Sequence, residues 1–142
     1  MKYLLCLTVI YLFHQVLYSQ GATWINCDSA QTQVELTLCA KNKSTQADSE
    51  LFKLEQNFLY KLLQWQLEAK ENKDNESVRA FTRLKEVFAE SQQRWIEYRN
   101  SYCQFLEAYY GGSSMPMEVY EWRARLTRER AEMFRNIREE HK

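Results

Sequence analysis

Between Phe81 and Phe105 the chain repeats one spacing. Phe81, Leu84, Phe88, Ser91, Trp95, Tyr98, Tyr102 and Phe105 fall alternately three and four residues apart. That spacing lines one stripe of an α-helix and makes a sustained seam of the kind found in long bundle helices. The seam predicts a helix from about Ser77 to Tyr109, with Phe81, Leu84, Phe88 and Trp95 in one core. Glycine is scarce at 3 residues and proline occurs once, at Pro116. So few turn residues exclude an all-β sandwich or barrel, which needs them every few residues. A 45% hydrophobic and 14% aromatic composition supplies a core and excludes disorder.

The rest of the chain reads as shorter versions of the same pattern. Asp28 and Ser29 precede a short helix over about Ala30–Lys41. Asn42–Thr45 is a polar break, where Ser44 or Thr45 can cap a second helix over about Gln46–Glu71. Leu51, Leu54, Phe58, Leu62 and Trp65 make that helix's apolar stripe. Lys70–Glu76 has no apolar member and reads as a solvated turn. Gly111-Gly112-Ser113-Ser114 stops the seam helix, and Pro116 lies in the first turn of the last one. The expected fold is all-α: a small antiparallel bundle of three long helices plus one short N-terminal helix.

Met1-Lys2 followed by an almost wholly apolar run from Tyr3 to Tyr18 reads as a secretory signal peptide, residues 1–19. Residues 20–142 then form a single domain that is periplasmic or secreted, without stable membrane insertion after cleavage. Loss of Lys2 from the balanced 19 cations and 19 anions leaves the mature chain one charge negative. No charge excess points to nucleic acid.

Three cysteines remain: Cys27, Cys39 and Cys103. Outside the cytoplasm an odd count leaves one thiol over. Cys27 and Cys39 stand at opposite ends of the expected first helix, about 18 Å apart, beyond disulfide reach. Cys39 and Cys103 both fall at the same end of an antiparallel bundle, so a Cys39–Cys103 bridge is favoured over Cys27–Cys103. An unpaired Cys27 could then link two copies.

The chemistry available is narrow. The only histidines are His14, in the signal, and His141, next to the last residue. Their placement removes Ser–His and Cys–His nucleophiles and imidazole zinc sites, and no phosphate-binding glycine loop is present. Carboxylate pairs such as Glu118 with Glu121 lie among arginines on helix surfaces. Neither a catalytic residue nor a metal or cofactor site is expected, and the chain is not read as an enzyme.

One ordered series is specific. Cys27, Thr32-Gln33, Glu35, Cys39-Ala40, Ala47-Asp48 and Leu51 come first. Gln92, Trp95, Tyr98-Arg99 and Cys103 follow, then Gly111-Gly112-Ser113 and Pro116, then Leu126-Thr127 and Arg130. This series resembles the LprI-type lysozyme inhibitor family of exported bacterial proteins, over about residues 27–134. The resemblance implies an α-helical envelope or periplasmic domain, with lysozyme as protein partner. The family commonly has a fourth cysteine where Trp122 stands, and its loss leaves Cys27 without its partner. Phe52 and Glu55 replace an Asn and a Tyr of the family pattern.

The same residues also have packing roles. Trp95 and Tyr98 belong to the seam, and Arg99 can bond helix-end carbonyls or pair with Glu35 or Asp48. For target binding the expected surface is the tip before the last helix: Tyr109, Tyr110, Gly111, Gly112 and Ser113, flanked by Glu118 and Glu121. Such a tip could occlude the target enzyme's cleft. The alternative is an envelope interaction or scaffold module of the same fold without inhibitory activity.

Overall fold

The computed structural model describes residues 25–140. The signal segment and His141 lie outside the described residues. Three helices account for nearly all of the described chain: α1 Gln33–Glu71, α2 Asn75–Tyr110 and α3 Met115–Glu140. Their lengths, 39, 36 and 26 residues, correspond to about 58, 54 and 39 Å at 1.5 Å per residue. The α1–α2 hairpin is therefore longer than α3, which returns along part of it. Among the described residues there is no strand.

Each helix start has a local cause. Thr32 caps α1 by accepting from the Glu35 N–H at 3.2 Å, and the Glu35 carboxylate accepts from the Thr32 N–H at 3.0 Å. These reciprocal bonds form a capping box, and they hold the Glu35 carboxyl below its usual range. Asp74 caps α2 by accepting from the Ser77 N–H at 3.0 Å. Between them the chain reverses over Asn72–Asp74, with Lys73 at a left-handed φ of 59°. Ahead of α3, Gly111 and Gly112 take φ of 60° and 73°, which favours residues without a Cβ.

The expected break at Asn42–Thr45 is absent, and with it the separate short helix. α1 runs through unbroken, the Thr45 hydroxyl donating back to the Lys41 carbonyl at 3.1 Å. Ser44 is buried rather than capping. The reason is packing against α3. Lys43 reaches Glu121 and Asp48 reaches Thr127, which fixes the parallel register of α1 and α3. That register sets Ala40, Ser44 and Ala47 along Ala124, Thr127 and Ala131, all of them buried. Small side chains allow close backbone approach, and this is the most extensive contact among the described helices.

The α2 seam is only half used. Phe81, Phe88, Trp95 and Tyr102 are half-buried, and Phe88 packs between Phe58 and Phe134 with centroids at 4.7 and 5.5 Å. The alternate members Leu84, Ser91, Tyr98 and Phe105 are exposed. Leu84, expected in the core, is 43% exposed. The truly buried α2 side chains are Gln92, Arg99, Cys103 and Leu106. The inward face is rotated by about one position because two polar residues take it, and α1 and α3 satisfy them there.

Cys27 and Cys39 form a disulfide, with Cα atoms 5.7 Å apart, and Cys103 is a free, buried thiol. The Cys39–Cys103 bridge is therefore corrected, as is the link between two copies through an unpaired Cys27. The 18 Å estimate assumed a helix starting at Ala30. Instead α1 starts at Gln33, and Asn26–Ser29 is a turn, the Ser29 N–H donating to the Asn26 carbonyl at 3.2 Å. The turn carries Cys27 back beside Cys39.

Candidate functional site

The polar residues buried by α2 form a spine that ties the three helices together. The Arg99 Nη1 donates to Asp48 Oδ1 at 2.5 Å and to the Thr127 hydroxyl oxygen at 2.9 Å. Arg123 approaches the other Asp48 oxygen at 3.4 Å. Two turns along, the Gln92 amide donates to the Glu55 carboxylate, while its carbonyl oxygen accepts from Arg130 Nε at 2.9 Å. Arg130 also donates to the Ser91 hydroxyl at 2.8 Å. The Trp95 ring lies between the two clusters, with the Arg99 and Arg130 guanidiniums 4.8 and 5.9 Å from its centroid. Burial pushes the Glu55 carboxyl above its usual range, against the opposing pull of Gln92, Arg130 and Arg99. The structure thus brings together Gln92, Trp95, Arg99, Thr127 and Arg130. Of the partners weighed for Arg99, Asp48 is the one it takes.

A second grouping lies at the end where α1 begins, α2 ends and α3 begins. The Gln33 side chain touches Met117 there, so the α1 and α3 starts are adjacent. Tyr109 is 70% and Tyr110 41% exposed, and Gly111, Gly112 and Ser113 are exposed beside them. Gly111 and Gly112 have open space where a Cβ would stand. The tip is small and accessible, as its sequence implies. Glu118 is half-buried in the first turn of α3, where the helix dipole favours an anion. Glu121 is engaged with Lys43 at 2.7 Å, so its charge is partly compensated.

The charge of this end was legible but is not visible in the chain total. No lysine or arginine occurs from Ile25 to Ala40 or from Asn100 to Trp122. Those two stretches carry Asp28, Glu35, Glu107, Glu118 and Glu121. A near-neutral protein therefore has one acidic pole. Beneath it Cys103, Leu106 and Val119 form a small core, with Tyr102, Met115 and Trp122 packed on it. Burial pushes the Cys103 thiol up, which keeps it protonated and inert.

Tyr98 is not in the core: it is 55% exposed on the outer side of α2. From it the rings of Tyr98, Tyr102, Phe105 and Tyr109 follow one another at 6.2, 6.1 and 5.8 Å. The three-and-four spacing contained this ladder, but as half of a seam that was expected to face inward.

Among the described residues no three His, Cys, Asp or Glu side chains converge as a metal site would require. No described helix is long and apolar enough to cross a membrane. Among the described residues two grooves lie at the far, α1–α2 end, one lined by residues such as Trp65, Ala69 and Phe81 and the other by Tyr60, Leu63 and Lys85.

These features define an all-helical domain, pinned by a polar spine and one disulfide, that presents a polar, tyrosine-rich end. The chain belongs to the family described as lysozyme inhibitor LprI, which it matches over residues 26–133. It is 31% identical over 116 residues to an uncharacterized protein of Rhizobium meliloti (strain 1021), covering 80% of this chain and 79% of that one. No solved structure matches it.

Proposed function

We propose that this chain is an exported, lysozyme-inhibitor-like binding protein that works by occluding its target's cleft rather than by catalysis. The observation that carries the reading is the acidic pole: five carboxylates in two stretches whose sequence holds no cation, on the segments that meet near the glycine tip, with Glu121 paired to Lys43. C-type lysozymes are basic and hold their catalytic carboxylates in a cleft. An acidic, narrow protrusion complements the rim of such a cleft and steers encounter even when net charge is small. Tyr109 and Tyr110 add contact area at low entropy cost, with Gly111, Gly112 and Ser113 as the inserted tip. Glu118 contributes charge directly, and Glu121 does so after exchange of its Lys43 partner.

The Cys27–Cys39 bridge favours a periplasmic or secreted location, where disulfides persist. The family assignment is consistent with that location and with lysozyme as partner.

The test is a titration of the purified, oxidised mature protein against several lysozyme types, reading cell-wall lysis. Inhibition of at least one type is expected. Glu118→Lys with Glu121→Lys should weaken inhibition of a basic lysozyme and keep native helicity. An unaffected double variant moves the contact surface away from the pole.

A second reading has its own observation. Tyr60, Leu63, Trp65, Leu67, Leu84 and Val87 are exposed on the α1–α2 hairpin. Apolar surface of that kind suits an envelope scaffold module without inhibitory activity. Absence of inhibition against every lysozyme type favours this second reading.

A further inference from the structure

We propose that the aromatic ladder on the outer side of α2 is a docking face for a basic protein, continuous with the acidic pole. The inference rests on the binding reading above and takes its occupant to be the same basic partner. The ladder's members are Tyr98, Tyr102, Phe105 and Tyr109, whose ends lie eleven positions apart, or about 17 Å along the helix.

Tyr98, Phe105 and Tyr109 expose 55%, 57% and 70% of their surface. A soluble helix seldom leaves such a row of large rings in water without a use for it. Tyrosine and phenylalanine are also the residues that dominate binding energy at protein interfaces, because they bring large area with few rotors.

The ladder is held ready before any partner arrives. Tyr102 is its fixed point: half-buried, packed on the Cys103–Leu106–Val119 core and edge-on to Trp122 at 5.7 Å. Tyr98 and Phe105 lean on Tyr102 from either side, and Tyr109 stacks on Phe105. Each ring restricts the rotamers of the next, so little side-chain entropy remains to be lost on binding.

Charge selects the occupant. The ladder between Asn100 and Tyr109 has no cation; Glu97 is exposed beside Tyr98, and the nearest exposed cations are already paired, Arg94 with Glu90 at 2.6 Å and Arg125 with Glu129 at 3.1 Å. At its upper end it meets the pole with Asp28, Glu35 and Glu118. A partner lying along this face therefore meets rings that accept cations on their faces, bordered by carboxylates. Lysine- and arginine-bearing protein surfaces fit it, and an acidic partner is repelled.

The experiment uses the oxidised mature protein and a C-type lysozyme as probe, with affinity measured calorimetrically at low and high salt. Tyr98→Ala and Phe105→Ala each remove a ring that is more than half exposed, so the fold should persist, checked by circular dichroism. Tyr60→Ala, at a ring 65% exposed on α1, is the control. Each ladder variant should bind about tenfold or more weakly. The salt dependence should be unchanged, since rings carry no charge, whereas Glu118→Lys, at the pole the ladder meets, should flatten it. Ladder variants that bind like wild type, beside a wild type that inhibits, overturn the ladder and leave the binding reading standing. A wild type that binds no lysozyme overturns both. A wild type that sediments as a dimer, and becomes monomeric as Phe105→Ala, makes a second copy the occupant and overturns the assignment to a basic partner.

Discussion

Replacing Asp48 with alanine should be more damaging than replacing its partner Arg99 with methionine. Arg99 is 7% exposed, and its Nη1 depends on Asp48 and Thr127. Its Nε already has no partner. Without Asp48 the guanidinium stays buried with the neutral Thr127 hydroxyl as its remaining acceptor and no carboxylate bonded to it. Breaking a fully buried pair in this way costs about 3–5 kcal/mol. The Asp48 side chain is 35% exposed, so water can enter where the carboxylate was. The discounted expectation is about 2–3 kcal/mol for Asp48→Ala. Arg99→Met leaves Asp48 with Arg123 at 3.4 Å and keeps most of the apolar volume over Trp95. That change should cost about 1 kcal/mol or less. The double variant buries no orphaned cation and should be more stable than Asp48→Ala alone, a coupling of about 1–2 kcal/mol. Urea unfolding at pH 7, followed by far-ultraviolet circular dichroism, reads all three. The argument fails if Asp48→Ala costs under about 0.5 kcal/mol. It fails equally if the two single effects simply add.

Three further outcomes follow from the same geometry. The raised Glu55 carboxyl means the fold prefers it protonated, so its favourable contribution is present at low pH and is lost as pH rises through its folded pKa. Glu55→Gln should therefore raise Tm at pH 7, with the gain shrinking toward pH 4; an equal shift at both pH values contradicts the burial argument. Peptide mapping of the oxidised protein should yield Cys27 linked to Cys39, with Cys103 alkylated only after unfolding, and reduction should lower stability by about 3 kcal/mol for so short a loop. Ala124→Leu places bulk where the side chain is 0% exposed between α1 and α3, and calorimetry should show a loss of about 1–3 kcal/mol.

Much of the fold was legible. Period, caps and the glycine pair place α2 and the α3 start within a residue or two of where they lie. Two misreadings have one physical origin, the neglect of small and polar residues as packing groups. Ser44 and Thr45 look like a helix start because their hydroxyls compete for backbone bonds. In α1 the Thr45 hydroxyl returns to the carbonyl four residues back, while Ser44 serves as a small contact residue. The seam as a whole, Leu84 included, reads as the inward face, yet Leu84 is exposed and the three helices converge on Gln92 and Arg99 beside it. A hydrophobic periodicity cannot show this, because it scores only the residues that water rejects. The cysteine pairing failed on an offset of three residues in one helix boundary.

The spine and the pole also bear on what family membership implies. Take seven of the residues behind the resemblance, outside the tip: Cys27, Gln92, Trp95, Tyr98, Arg99, Thr127 and Arg130. Five of these, all but Cys27 and Tyr98, hold the spine, where each contacts other members of the network within the bundle. Cys27 staples the turn before α1. A side chain whose donors are spent on two other helices has little left for a target. The motif therefore specifies how the helices are pinned, and any chain with the same pins will share the fold. The binding surface proposed above accordingly uses residues the motif leaves free: the carboxylates and rings of the pole, and the outer side of α2. Of the seven, Tyr98 alone faces outward beyond the disulfide, and it begins the ladder that leads to that pole.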